Sequence, residues 1–281
     1  MLTHAYRNAT KYSKSNSLQY AFAQSLLSKI KITDDSRVLD IGCGDGKITN
    51  QIAQQTKECV IGTDLSKIMT DHASETYKSQ QNLKFVQMDA SHNIFRNQFD
   101  LITSFNCLHW VKDQQAALRG ISNAAAPNAR VALLLSHRKS LYHEVLGDIT
   151  SFPKWAPFFE GHTSPRSFFK VDEYKKILAD TDLQVEDIIE EEMSYLFDSK
   201  TEIAQFFHAA GSQINQVPKD YQESFLEDFS NEFVSRSQLT EDGKVPMAFW
   251  CLQVLAFKPA LNPLKLIRDQ LFSQIDNAMV I

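Results

Sequence analysis

The segment Val38-Leu39-Asp40-Ile41-Gly42-Cys43-Gly44-Asp45-Gly46 constrains this chain more than any other. A short, largely apolar strand runs into three glycines at alternate positions, and a helical stretch follows from about residue 47 to 55. Glycines there let the backbone approach a ligand closely, while the following helix points its first amides at the same spot. In open α/β sheets that spot lies at the carboxyl ends of the strands, where the strand order reverses. A dinucleotide fingerprint wants G-x-G-x-x-G/A, and counting from Gly42 its third glycine position is Lys47. The compact G-x-G-x-G after an acidic strand suits instead a ligand with one nucleoside and no phosphate.

The pattern around this turn is periodic. Strands are expected at 59–63, ending at Asp64, and at 83–87, 99–104 and 131–135. Between them Ser66 is a good N-cap for a helix reaching about Tyr77, and another helix is expected around 113–125. Strands alternating with helices imply right-handed βαβ units and a parallel sheet. After residue 136 the alternation stops. Residues 138–242 read as mixed helix and loop rich in aromatics, among them Phe152, Trp155, Phe158, Phe159, Phe168, Phe169, Phe206 and Phe207. Within them 183–197 is a further strand candidate, and 247–257 is a last one that could close the sheet edge. The expected architecture is α/β: a Rossmann-like, mostly parallel seven-stranded sheet with helices on both faces and a helical, aromatic-rich lid inserted late. The core spans 1–136, the lid 137–244, the closing strand 245–258, and a helical tail 259–281.

Composition narrows the function. The net charge of −5, with only Arg7, Lys11 and Lys14 clustered, argues against a nucleic-acid partner, which usually meets a basic stripe. Cys43, Cys59, Cys107 and Cys251 form no CxxC pair and no zinc spacing, so no metal is expected. Each sits in an apolar stretch and reads as a buried free thiol of a reducing compartment. No apolar leader or spanning stretch is visible, so a soluble, cytoplasmic monomer or weak dimer is expected.

Two acids complete the first motif. Asp64, 18 residues after Gly46, can accept hydrogen bonds from both hydroxyls of a ribose. Asp89, closing the third strand, can accept from an adenine amino group or simply form a turn before Ser91. Taken in order with Phe99-Asp100-Leu101-Ile102, these residues resemble class I S-adenosylmethionine-dependent methyltransferases over about residues 17–136. The resemblance implies S-adenosylmethionine as cofactor and S-adenosylhomocysteine as product. It places Asp40, Gly42, Cys43, Gly44 and Gly46 around the methionine part, Asp64 at the ribose, and Asp89 with the Ala90 amide at the adenine. Leu65 and Ser104 join the same cofactor set.

A narrower resemblance concerns the acceptor. Ser104-Phe105-Asn106-Cys107-Leu108-His109-Trp110-Val111 is similar to trans-aconitate and juvenile hormone acid methyltransferases, which make methyl esters of acids. Tyr12-Ser13-Lys14-Ser15-Asn16-Ser17-Leu18-Gln19 looks like the second group, and somewhat like malonyl-carrier-protein methyltransferases. In the hormone-acid enzymes a glutamine and a tryptophan matching Gln19 and Trp110 hold the substrate carboxylate. The implied partner is therefore a small-molecule acid, which is already ionised at neutral pH and needs no general base. For a hydroxyl or amine acceptor, His109 would be the candidate base. A non-catalytic binding protein of the same fold is the third reading, and a dehydrogenase the fourth. The aromatic segment 152–169 is expected to cover the acceptor.

Overall fold

The computed structural model describes residues 8–260. The tail expected over 259–281 therefore lies, but for Pro259 and Ala260, outside the described residues. The chain runs α1 (Ala9–Lys14), α2 (Ser17–Leu27), β1 (Val38–Ile41), α3 (Lys47–Ala53), β2 (Val60–Asp64), α4 (Lys67–Thr76), β3 (Leu83–Gln87), β4 (Phe99–Phe105), α5 (Gln114–Ala124) and β5 (Ala125–Ser136). It continues through α6 (Leu141–Ser151), α7 (Ala156–Phe159), α8 (Val171–Ala179), β6 (Gln184–Phe197), α9 (Lys200–Ala210), α10 (Lys219–Arg236) and β7 (Val245–Phe257). Seven strands form one sheet in the order β3-β2-β1-β4-β5-β7-β6. The first five are parallel; β7 runs antiparallel to both of its neighbours. The order reverses between β1 and β4, and that crevice is where the glycine turn emerges.

The central strands β1, β4 and β5 are buried on both faces, which is why they read as near-continuous apolar runs rather than alternating ones. Successive side chains serve opposite cores. Val38, Leu101 and Leu134 face one, with Leu18, Phe22 and Leu26 of α2. Leu39, Ile102 and Leu133 face the other, with Leu118 and Ile121 of α5. Helices accordingly lie on both faces.

Residues 137–244 divide between two tasks, unlike the single lid expected. Tyr174 and Leu178 of α8 belong to the second core, and β6 pairs along its length with β7 as the sheet edge. Helices α6, α9 and α10 pack together on the first core through aromatic rings. Phe207 stacks on Phe229 at 4.3 Å, and Trp155 meets Phe225 edge-on at 5.1 Å. Trp155 is fully buried and its indole N–H donates to Asp228 at 2.9 Å, so much of the aromatic segment packs the lid helices together. Each such ring contributes about 1.5–3 kcal/mol by leaving water.

Two smaller differences have local causes. Strand β5 starts six residues before its expected beginning, at Ala125, directly after α5. Its pairing with β4 slips between Phe99 and Leu101, and Asn128 there takes a left-handed φ of 67°. Cys59 is exposed rather than buried, because the sheet begins one residue later, at Val60. Cys43 and Cys251 are buried, and Cys107 is half-buried. No helix among the described residues is long and apolar enough to cross a membrane.

Candidate active site

The glycine turn is sterically committed. Gly42, Gly44 and Gly46 all hold positive φ, at 77°, 55° and 80°. A Cβ on Gly42 would fall 2.2 Å from Cys107 Cβ, and one on Gly46 would fall 2.6 Å from Phe85 Cζ. The turn is pinned to β2: the Gly42 and Cys43 amides both donate to the Thr63 carbonyl, at 2.7 and 2.9 Å. Behind it, Asp40 accepts from the Thr49 hydroxyl at 2.6 Å and the Thr103 hydroxyl at 2.8 Å. Burial pushes its carboxyl up to about 6 against the pull of those two hydrogen bonds. Asp40 thus buckles β1 to α3 and β4 and supports the turn from behind.

Asp64 ends β2 with its carboxylate on the turn itself. One oxygen accepts the Gly44 amide at 3.0 Å and the other the Ser66 amide at 2.8 Å. Burial raises its pKa, opposed by those two amides. Leu65 beside it is half-buried, its carbonyl accepting from Gln87 at 3.1 Å. Asp89 follows β3 and accepts from the Ser91 amide at 2.9 Å and the Ser91 hydroxyl at 2.7 Å, a local turn that leaves its side chain 38% exposed. Ala90 after it is buried. Ser104 differs from expectation. It is fully buried and its hydroxyl donates to the Ile41 carbonyl at 2.8 Å, stitching β4 to β1 across the crevice.

One brace on the turn had no local signal among the residues. Asn16, just before α2, donates to Asp45 at 2.8 Å, with both side chains buried, and Tyr12 of α1 stands 3.6 Å from where a Gly44 Cβ would lie. The N-terminal segment is thereby latched over the loop.

Gln19, His109 and Trp110 come together, although α2 and the 3₁₀ turn after β4 lie far apart in the chain. They line one cavity of about 520 Å³, mouth included, whose other walls include Leu18, Phe22, Phe206 and Phe249. Two side chains that line it carry buried polar atoms with no hydrogen-bond partner among the described residues: Gln19 Oε1 and Ser136 Oγ. His109 is buried and its Nδ1 accepts the Ser136 amide at 3.2 Å, so Nε2 is the nitrogen bearing the proton in the neutral ring. The cavity also receives a residue that no sequence signal indicated. Arg166 places its guanidinium carbon 4.4 Å from the Trp110 ring centroid and its Nη1 2.8 Å from His143 Nε2. Among the described residues lining the cavity, Arg166 is the one cation and there is no acid. Burial, then the Arg166 and Lys139 charges, hold His143 down at about 2, so its ring is neutral.

Residues 38–128 match the model of a methyltransferase domain. A protein of Invertebrate iridescent virus 6 that carries a methyltransferase name is 28% identical over 229 residues, covering 81% of this chain and 85% of that protein. The juvenile hormone acid O-methyltransferase of Drosophila melanogaster is 24% identical, covering 81% and 82%. The trans-aconitate 2-methyltransferase of Variovorax paradoxus is 25% identical, covering 85% and 93%. Among solved structures, a Haemonchus contortus N-methyltransferase holding S-adenosylhomocysteine and phosphomonomethylethanolamine superposes with a TM-score of 0.59 at 17% identity, covering 92% of this chain and 59% of that one. That last likeness is one of fold.

Proposed function

Since the chain is a class I S-adenosylmethionine-dependent methyltransferase, we propose that it methylates the carboxylate of a small organic acid to give a methyl ester. The observation that carries this reading is the charge of the acceptor cavity: among the described residues lining it there is a single cation, Arg166, and no acid, beside a largely apolar wall. A hydroxyl or amine acceptor gains little from such a wall, whereas a carboxylate needs an opposite charge when it leaves water. One cation matches one carboxylate. Two of the relatives are named for acid acceptors, which supports the same reading.

The residues of the first half fit the methyl donor. The turn Gly42–Gly46 is a close-packed loop in which Cys107 and Phe85 leave no room for a Cβ at Gly42 or Gly46, and Asp64 and Asp89 stand at the ends of the next two strands. These residues, with the Ala90 amide, would hold the methionine, ribose and adenine parts. When bound, S-adenosylmethionine supplies an electrophilic methyl on a sulfonium; the carboxylate oxygen forms the new bond while the carbon–sulfur bond breaks and its electron pair stays on sulfur.

No proton moves in that transfer, so the chain's task is to orient and dehydrate the acid. Gln19 lines the cavity with its Oε1 unpartnered, and rotation of the amide would offer its N–H₂ to a carboxylate oxygen. The Trp110 indole and the Nε2–H of His109 are two further donors on the same wall. Holding the oxygen about 3 Å from the methyl carbon replaces a bimolecular encounter by an intramolecular one. His109 serves here as a donor, because its basic nitrogen already holds the Ser136 amide.

The test is product analysis. The protein is incubated with S-adenosylmethionine and a panel of fatty, terpenoid and tricarboxylic acids, plus the matching alcohols. A methyl ester from a monocarboxylic acid supports the proposal. Ether from the alcohols alone, or no ester although the cofactor binds, overturns it.

A further inference from the structure

We propose that Arg166 is the residue that selects an ionised acceptor, and that His143 is the positioning residue that aims it. The inference rests on the carboxylate reading and assigns its charge recognition to a particular pair.

Arg166 belongs to an irregular segment between α7 and α8 that is tied directly to the catalytic turn. The Ser167 amide donates to the His109 carbonyl at 2.7 Å, so the backbone next to Arg166 is fixed to the turn carrying His109 and Trp110. The guanidinium lies over the Trp110 ring and abuts His143, two contacts that set both its plane and its reach. A stacked guanidinium keeps its edge N–H groups in the ring plane, where they meet the two oxygens of a carboxylate side by side. A lysine ammonium on the same stem offers neither the stacking nor the fork.

His143 sits in the first turn of α6. Its Nδ1 lies 3.0 Å from the Ser140 hydroxyl, to which it donates, leaving Nε2 as the acceptor of the Arg166 N–H. Three rings enclose the imidazole edge-on: Tyr142 at 5.2 Å, Phe168 at 5.1 Å and Phe249 at 5.5 Å. An imidazole packed on three sides is restrained in orientation, and being neutral it adds no charge of its own beside Arg166. That charge reaches the cavity walls: it lowers the phenol of Tyr142 and the thiol of Cys251 against the larger upward effect of their burial. An acceptor arriving as an anion meets this charge; its neutral amide or ester does not. The ester product consequently loses the interaction that held the substrate, which favours release.

The experiment uses the full chain and whichever acid of the panel yields ester. It compares the wild type with Arg166→Gln, Arg166→Lys, His143→Gln and Arg166→Gln/His143→Gln. Steady-state kinetics give the KM of the acid, inhibition by its carboxamide gives a neutral-isostere affinity, and calorimetry gives S-adenosylhomocysteine affinity. Arg166→Gln raises the KM of the acid at least thirtyfold, with the carboxamide and the cofactor product unaffected within twofold. Arg166→Lys falls between. His143→Gln raises the KM several-fold by itself and adds nothing in the Arg166→Gln background, which a merely structural histidine would not do. If Arg166→Gln leaves the KM of the acid within twofold, or weakens S-adenosylhomocysteine instead, the assignment is wrong although the carboxylate reading stands. If the wild type esterifies no acid, both fall.

Discussion

His109 and Ser136 are joined by a hydrogen bond in which the backbone N–H of Ser136 donates to Nδ1 at 3.2 Å, linking the turn after β4 to the last residue of β5. The bond fixes the ring's tautomer, and with it the role of the residue. A ring holding a proton at Nε2 donates toward the cavity; serving as a base there would require it to give up the amide. The expected outcome is a methylation rate on the acid that stays flat from pH 6 to 8.5. His109→Gln, which keeps a donor, should retain the rate within about tenfold, whereas loss of a general base costs about 10²- to 10⁴-fold. A rate rising through pH 6 to 7 in the wild type and vanishing in the variant would contradict this.

Asp64 carries the cofactor prediction. Its two oxygens already hold the Gly44 and Ser66 amides, and each retains a lone pair for a ribose hydroxyl. Asp64→Ala should weaken S-adenosylhomocysteine by roughly 1 to 3 kcal/mol, the range for leaving hydrogen-bonding groups unpaired. Calorimetry measures it directly, and an unchanged affinity would remove Asp64 from the ribose.

Asp40 predicts a pH effect on stability. Its folded pKa of about 6 lies above the ordinary carboxylate value, so the native state binds the proton more tightly than the unfolded chain. The native state therefore loses stability as the pH rises from the unfolded value toward 6, and the loss levels off above it. Asp40→Asn lacks this titration, so relative to the wild type it should gain about 1 kcal/mol between pH 5 and pH 8. Urea unfolding at the two pH values checks the sign; parallel pH dependences would show that the carboxyl is not the buried group described.

Gly42 is the steric prediction. Alanine there meets both a positive φ and the Cys107 Cβ at 2.2 Å. Gly42→Ala should destabilise by roughly 2 to 4 kcal/mol, from overpacking and left-handed backbone strain together. The added change Cys107→Gly should restore about half of that loss, because it relieves the clash and leaves the strain. Thermal unfolding of the three chains decides it, and a Gly42→Ala protein as stable as the wild type refutes it.

The parallel sheet was readable because its signals are local: buried β-type runs such as 99–105, a glycine turn after the first, and aspartates where strands end. Pairing across the sheet was not. That β6 lies outside β7 depends on contacts between residues some sixty positions apart, such as Glu191 with Cys251. Gln19, His109 and Trp110 were singled out through a family resemblance, and the fold supplies the reason they meet: α2 lies against the β4 end of the sheet, where Asn106 donates to the Gln19 carbonyl at 3.3 Å. Arg166 had no such pointer. Its partners, Trp110 and His143, lie 56 and 23 positions back, and a lone arginine in a loop looks like any solvated charge. Ser104 was legible as a strand residue, but nothing local to it showed the Ile41 carbonyl that takes its hydroxyl.

The late position of β7 has a consequence for how the molecule comes into being. A nascent chain that has emerged as far as Ser136 already owns the glycine turn, Asp64 and Asp89, and all five parallel strands. The cavity lined by Gln19 and Trp110 still lacks Arg166, Phe206, Phe249 and Cys251, the last two of which arrive on β7. During synthesis the half carrying the glycine turn can assemble first, and the cavity beside Trp110 is sealed only when the final strand slides in beside β5.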